Sequence, residues 1–401
     1  MKVIIKPSIA SGEITAPPSK SYAHRLLICS ALAKGVSTIN GVINSKDMEA
    51  TLNCIKALGV SYSKENNVVT VNSENSLKSE ESEFYCNESG STLRFFIPIA
   101  LANGGINKFY GTEKLLSRGL EVYEEICESQ GIKVTKEKNS VTFEGKLKSD
   151  TFNVRGDISS QFISGLLFAL PLLNGDSVIN VTTNLESAGY IDITLDTLKA
   201  FGIEISREQN SFFVKGNQKY QPQNVTVEGD MSNAAFLDAF NVLGGDVFVI
   251  GCNKSSYQAD SVYMQHMESL KNSAPEIDLS NCPDLAPILF AIAASQNGAT
   301  FVGTKRLKIK ESDRAEVMAL ELKKFGISVD VHENSVIVHK GEIKKPTETL
   351  CGHNDHRIVM SLAVLSTIYG GEIDGCEAVS KSYPTFFEDI KSLGIKWEMV
   401  E

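Results

Sequence analysis

Four cations in this sequence stand where a helix resists positive charge. Lys20 and Arg25 lie in PPSKSYAHR (17–25), Arg94 in NESGSTLR (87–94) and Arg357 in GHNDHR (352–357), each within the first turns of an apolar run. A helix N-terminus is already partly positive, so a cation there costs stability unless an anion is held beside it. Capping explains the Ser, Asp and Asn residues at these starts. It does not explain the cations. Several such ends meeting in one cleft would trap anions, with backbone N–H groups and charged side chains aimed at a single ligand.

Other charged motifs say less by themselves. KESDR (310–314) packs Lys310, Glu311, Asp313 and Arg314 into five residues, a pattern that a salt-bridged surface turn also produces. Asp284, in CPDLAPILFA, opens an apolar helix, where an acid commonly serves as a cap. Lys381 stands alone in AVSKSYPTFF. His353 and His356 lack a third ligand at matching spacing, so no metal is expected. No glycine-rich phosphate loop is present, which excludes a Walker-type site.

The elements that must position these residues recur along the chain. Six blocks place a polar start before a helix that is apolar on most faces: PPSKSYAHRLLICSAL, NESGSTLRFFIPIAL, GDISSQFISGLLFAL, GDMSNAAFLDAFNVL, NCPDLAPILFAIAA and GHNDHRIVMSLAVLS. Helices of that kind belong in a core. A second block ends an amphipathic helix with Gly and continues into two short strands: KALGVSYSKENNVVTV, ESQGIKVTKEKNSVTF, KAFGIEISREQNSFFV and KKFGISVDVHENSVIV, with a truncated copy in KSLGIKWEMV. The Gly suits a left-handed helix end, and the Asn-containing turns suit hairpins. Six α/β units in 401 residues suggest two domains of three units each.

Bulk properties narrow the function. Hydrophobic content of 42% and charged content of 22% are ordinary for a globular protein, and a net charge of −10 argues against nucleic acid or an anionic membrane as partner. The longest apolar runs are too short to span a bilayer, and no signal peptide is read at MKVIIKPSIASGEI. The eight cysteines are scattered without a C-x-x-C pair, as expected for reduced thiols in a cytoplasmic protein.

Taken in order, SKSYAHR, ESGSTLR, SSQF, the Asp284 helix, KESDR, NDHR and SKSYP resemble the 5-enolpyruvylshikimate-3-phosphate synthase family over essentially the whole chain. The resemblance implies an α/β fold: a two-domain inside-out α/β barrel, each domain three βαβαββ repeats with buried helices. It divides the chain into a discontinuous domain, 1–19 with 228–401, and a second domain, 20–227. It implies transfer of the enolpyruvyl group of phosphoenolpyruvate to the 5-hydroxyl of shikimate 3-phosphate, with no cofactor and as a monomer. Lys20, Gly90, Arg118, Gln161, Arg314, Arg357 and Lys381 resemble the donor contacts, with Arg94 nearby. Ser21, Arg25, Ser159, Ser160, Ser187, Asp284 and Lys310 resemble the acceptor contacts, with Tyr190 beside Ser187. Lys20 and Gln161 would touch both ligands. Asp284 resembles the base that relieves the acceptor hydroxyl of its proton, and Glu311 the acid that protonates the methylene carbon, with Lys20 as a further catalytic residue.

The chemistry agrees with those roles. Both substrates are polyanions, which the cations would neutralise. Adding an alcohol across an enol ether needs one proton removed and one delivered, so two carboxyl groups need unlike environments. The chain departs from the family at Glu88, at Gly119 after Arg118, where Pro is usual, and at Arg306. A sister enzyme that transfers enolpyruvate to a UDP-amino sugar usually has a reactive cysteine in the loop spelled GTEKLLSRG (111–119), which here has none. A pure anion-binding scaffold would gain by losing Asp284 and Glu311, and both are present.

Overall fold

The computed structural model describes residues 1–74, 81–185, 187–253 and 255–400. Its contacts divide the chain into two compact units, Met1–Pro17 with Gly229–Glu401, and Pro18–Glu228. Each has its own apolar core.

The core helices follow from the apolar runs. In Ala286–Ser295 (APILFAIAAS) every residue but the last is buried. Burying Ile288, Leu289, Phe290 and Ile292 contributes roughly 6–12 kcal/mol before conformational entropy is set against it. Gly90–Asn103, Ser160–Ala169 and His356–Ser366 are buried in the same all-round way. Helices Lys46–Ala57, Glu121–Gln130 and Arg314–Lys324 each bury one face only.

Five four-stranded sheets repeat one pairing scheme, a parallel pair followed by two antiparallel steps. A parallel pair needs a crossover, and in four of these sheets a buried helix supplies it. In the sheet that begins at Glu81–Tyr85, helix Gly90–Asn103 leads to the parallel strand Ile106–Tyr110, and hairpin Lys133–Lys136/Ser140–Glu144 closes the unit. Gly59, Gly131, Gly202, Gly326 and Gly394, at the helix ends before the hairpin strands, have φ between 69° and 91°, as the repeated Gly requires.

Two sheets are completed from far along the chain. The truncated copy at 391–400 lacks a second strand, and Lys2–Ile5 takes that place, pairing with Trp397–Val400 and Gly371–Asp374. Val36–Asn40 lacks a preceding parallel strand, which Asn224–Thr226 supplies. One repeat is reduced relative to the sequence expectation. Among the described residues, Asp246–Ile250 pairs only with Ser11–Thr15, because helix Tyr263–Asn272 runs on into strand Glu276–Asp278 without a glycine-led hairpin.

Candidate active site

In the unit formed by 1–17 and 229–401, the site is organised around one guanidinium. Arg314, the first residue of helix Arg314–Lys324, is 1% exposed. Its Nη1 donates to Asp284 Oδ1 at 2.7 Å, its Nη2 to Glu311 Oε2 at 2.8 Å and its Nε to Asp355 Oδ2 at 2.9 Å. Asp284 also receives Arg357 Nη2 at 3.0 Å, and Lys310 Nζ lies 3.3 Å from its Oδ1. Asp355 is fully buried, caps helix His356–Ser366 through the Arg357 N–H at 3.0 Å and accepts from Ser312 Oγ at 3.0 Å. Lys381 Nζ donates to the Asn354 carbonyl at 2.7 Å.

The expectation that Asp284 caps a helix gives way here. It sits in the short turn Pro283–Leu285 before helix Ala286–Ser295, and its carboxylate faces three cations. Burial pushes its carboxyl up, but Arg357, Lys310 and Arg314 together hold it well below the usual carboxylate range. Burial lowers Lys310 to about 8, against the pull of Asp284. Thus Asp284 is a carboxylate in this state, and Lys310 holds its proton less firmly than an ordinary lysine but still carries it at neutral pH.

A second acid behind this group behaves oppositely. Asp260 is 3% exposed and accepts a hydrogen bond from Ser232. Burial, then the Asp284 charge, raises its carboxyl to about 7, with Arg357 opposing. The unfolded value near 3.8 is lower, so between these values the native state keeps a proton that the unfolded chain releases. The stability this lends is whole below about pH 4 and is lost as pH rises towards about 7. Asp260→Asn keeps an acceptor for Ser232 and cannot ionise. Its stability relative to the wild type should therefore rise across that window, as urea midpoints at a series of pH values would measure. A constant difference would contradict this.

In Pro18–Glu228, the expected contacts lie at or near the starts of several helices. Lys20 is the first residue of helix Lys20–Leu32, capped by Ser19, and its Nζ pairs with Asp47 Oδ2 at 2.9 Å. Arg25 Nη1 turns back to the Ser21 carbonyl at 2.7 Å, while Nε reaches Thr194 Oγ1 at 2.7 Å and Nη2 the Tyr190 carbonyl at 2.9 Å. Its guanidinium lies over the Phe95 ring, and burial lowers its pKa to about 10, so it stays charged at neutral pH. Ser187 adopts a left-handed φ of 56° just before helix Ala188–Ala200, and its carbonyl accepts the Tyr190 N–H.

Arg94 Nη1 donates to Gln161 Oε1 at 2.8 Å, Gln161 Nε2 donates to Ser91 Oγ at 2.9 Å, and Arg94 Nη2 reaches the Arg118 carbonyl at 3.1 Å. Ser159 caps the helix that starts with Ser160 and Gln161. Gly90 is small for a reason: a Cβ there would lie 3.0 Å from Arg118 Nη1 and 3.3 Å from Cζ, so a side chain would push that guanidinium away. Gly119, where the resemblance leads one to expect Pro, has φ 82°, a value that proline cannot adopt.

Several positioning residues went unseen in the sequence. Pro98 cannot donate to the Arg94 carbonyl one turn earlier. Tyr123 Oη does so instead at 2.6 Å, in space left open by Gly165. Asp47, Thr194, Asp260 and Tyr123 carried no local signal, since each meets its partner across a long stretch of chain. Asp355 stood within NDHR and was legible there as a charged helix start, though not as the partner of Arg314.

The EPSP synthase (3-phosphoshikimate 1-carboxyvinyltransferase) family model matches residues 4–390. The chain belongs to that family. A Clostridium kluyveri 3-phosphoshikimate 1-carboxyvinyltransferase is 42% identical over 414 aligned residues, covering 98% of this chain and 97% of the relative. Its counterpart from Clostridioides difficile strain 630 is 40% identical, with 97% of each covered. An EPSP synthase structure from Acinetobacter baumannii superposes with a TM-score of 0.81 over the full length of both chains at 24% identity. An enolpyruvyl transferase from Streptomyces tendae does so at 0.79 and 14% identity, covering 99% and 98%. These two bear on the fold, and they agree with the α/β repeats expected of the EPSP synthase family. The UDP-amino-sugar alternative gives way to this membership. No helix among the described residues is long and apolar enough to cross a membrane.

Proposed function

We propose that Asp284 and Glu311, with Lys20 and the surrounding cations, carry out the 3-phosphoshikimate 1-carboxyvinyltransferase reaction of the family. The observation that carries this assignment is the single Arg314 guanidinium that holds both carboxylates, at 2.7 and 2.8 Å. Two acids fixed in relation to one another, in different surroundings, suit paired proton transfers.

The acceptor 5-hydroxyl oxygen attacks C2 of phosphoenolpyruvate while Asp284 takes the hydroxyl proton and Glu311 protonates C3. The tetrahedral adduct keeps both groups. Glu311, left as a carboxylate, takes a proton back from C3, the double bond re-forms as the C–O bond to phosphate breaks, and phosphate leaves with the enolpyruvyl ether behind. Arg314, Arg357, Lys381, Lys20, Gly90, Arg118 and Gln161 take the donor's carboxylate and phosphate, with Arg94 setting Gln161. Ser21, Arg25, Ser159, Ser160, Ser187 and Lys310 take the acceptor. Guanidinium forks match both anion types. The reaction is placed in the cytoplasm and in a monomer.

Donor binding then exchanges partners. Arg357 and Arg314 turn from Asp284 to the donor, and the base regains proton affinity as its cations are drawn away. In D₂O the product's vinyl CH₂ should acquire deuterium, and bridging ¹⁸O in phosphoenolpyruvate should leave with phosphate. Phosphate release should require shikimate 3-phosphate and fail with a UDP-amino sugar. Label retained on the enolpyruvyl carbon, or equal turnover of both acceptors, would refute the assignment.

A further inference from the structure

The turn that carries Asn354 and Asp355 is strained backbone. Between strand Leu350–Cys351 and helix His356–Ser366, His353 and Asn354 both take left-handed φ, 49° and 53°. Asn tolerates that conformation better than most residues, and two non-glycine residues in succession are uncommon. Gly352 before them has no room for a side chain, since a Cβ would lie 3.0 Å from the Asp374 carbonyl. Such a turn persists only where its surroundings over-determine it.

Helix Arg314–Lys324 does this at two points. At its first residue, Arg314 Nε holds Asp355. Two turns later on the same face, Glu321 is 1% exposed. Its carboxylate accepts from the Cys351 N–H at 2.9 Å, from His353 Nε2 at 2.9 Å and from Lys324 Nζ at 2.9 and 3.0 Å. Lys324 Nζ also donates to the Thr349 carbonyl at 3.0 Å. Burial opposes ionisation of Glu321, and His353, Lys324 and the Cys351 N–H hold it below the usual range nonetheless. This buried carboxylate therefore grips the chain on both sides of Gly352, and no step of the reaction uses it.

We infer that Glu321 and His353 are positioning residues for the donor. They hold the left-handed turn whose Asn354 carbonyl fixes Lys381 at 2.7 Å and whose Asp355 aligns Arg314. This rests on the assignment of Lys381, Arg314 and Arg357 to phosphoenolpyruvate. Most of the acceptor contacts lie on other helices, so the effect belongs to one substrate.

Two variants separate the tether from the turn. His353→Asn keeps a residue suited to left-handed φ but is too short for Glu321, whereas His353→Gln presents an amide that can reach it. With both substrates varied, His353→Asn should raise the donor KM on the order of tenfold, with kcat and the acceptor KM within about twofold. His353→Gln should recover most of the loss. A lower melting temperature with the donor KM unmoved would assign the pair to packing and overturn the inference, as would equal rises in both KM values. The wild type assayed in parallel keeps the two ideas apart. An inactive wild type would overturn the assigned reaction along with the tether, and an active one beside an unmoved donor KM overturns the tether alone.

Discussion

Asp284→Asn is expected to lower kcat by roughly 10²–10⁴-fold, the range that a positioned general base contributes. Its effect on the donor should run the other way. Arg357, Lys310 and Arg314 are all partnered by that carboxylate in the structure. Without its charge the attraction of Arg357 and Arg314 is available to phosphoenolpyruvate, so the donor KM should hold or fall while kcat collapses. A loss in kcat without a loss in donor binding marks an interaction made only in the transition state. Glu311→Gln should lower kcat by a similar factor and also suppress entry of deuterium into the vinyl group. Steady-state kinetics and mass spectrometry of the product check both variants. A kcat within tenfold of wild type for Asp284→Asn would remove it from the role of base.

Arg314→Met is expected to be the most damaging single change for both folding and turnover. Arg314 is 1% exposed and partners three carboxylates, of which Asp355 has no exposure at all. Removing one member of a buried ionic group leaves the others uncompensated, at a cost of about 3–5 kcal/mol. The loss should depend on pH. Burial raises Asp355, Arg314 outweighs it, and the net folded value lies below the unfolded one near 3.8. The stability this lends the wild type is present above about pH 4 and is lost as pH falls through the folded value. In Arg314→Met the carboxyl can take a proton instead, so the deficit should shrink towards acid pH. Adding Asp355→Asn keeps an acceptor for Ser312 and for the helix cap while removing the stranded charge. The double variant should recover much of the stability and none of the activity. Urea titrations at neutral and mildly acid pH would show it, and a deficit below about 1 kcal/mol at neutral pH would mean that the network is not holding this unit together.

The sequence exposed the helix starts and the glycine-led hairpins because both are local. Ser19, Ser89, Ser159 and Asp355 cap as their types suggest, and Gly59, Gly131, Gly202, Gly326 and Gly394 take positive φ. What stayed hidden was the set of partners. The cations looked like open charge at helix mouths, yet Lys20 meets Asp47, and Arg357 meets Asp284 from 73 residues away. Arg25 and Ser21 both resembled acceptor contacts. In the structure the Arg25 guanidinium bonds the Ser21 carbonyl, Tyr190 and Thr194. Spacing along a helix fixes which residues are neighbours on that helix, and only the fold decides what approaches from outside. The reduced repeat around Asp246–Ile250 is a similar case, since its missing hairpin shows in the sequence only as the lack of a glycine-led copy, with KNSAPEI (271–277) in its place.

The pairing of Lys2–Ile5 with Gly371–Asp374 and Trp397–Val400 sets an order of assembly on the ribosome. Residues 18–228 form an uninterrupted unit whose three sheets need no strand from elsewhere, so they can fold as soon as they emerge. The segment ahead of them cannot. At about 5–20 residues per second, the 173 residues from 229 to 401 take roughly 10–35 seconds to make. Early in that interval Ser11–Thr15 gains its partner Asp246–Ile250, but the apolar strand KVII has none until Gly371–Asp374 and Trp397–Val400 are made. An unpaired strand with open edges is a template for other chains, so nascent protein is most exposed to misassembly at its oldest end. Pulse proteolysis of stalled chains would see residues 18–228 protected early, residues 11–15 once 246–250 has cleared the exit tunnel, and residues 2–5 only once 371–374 and 397–400 have done so.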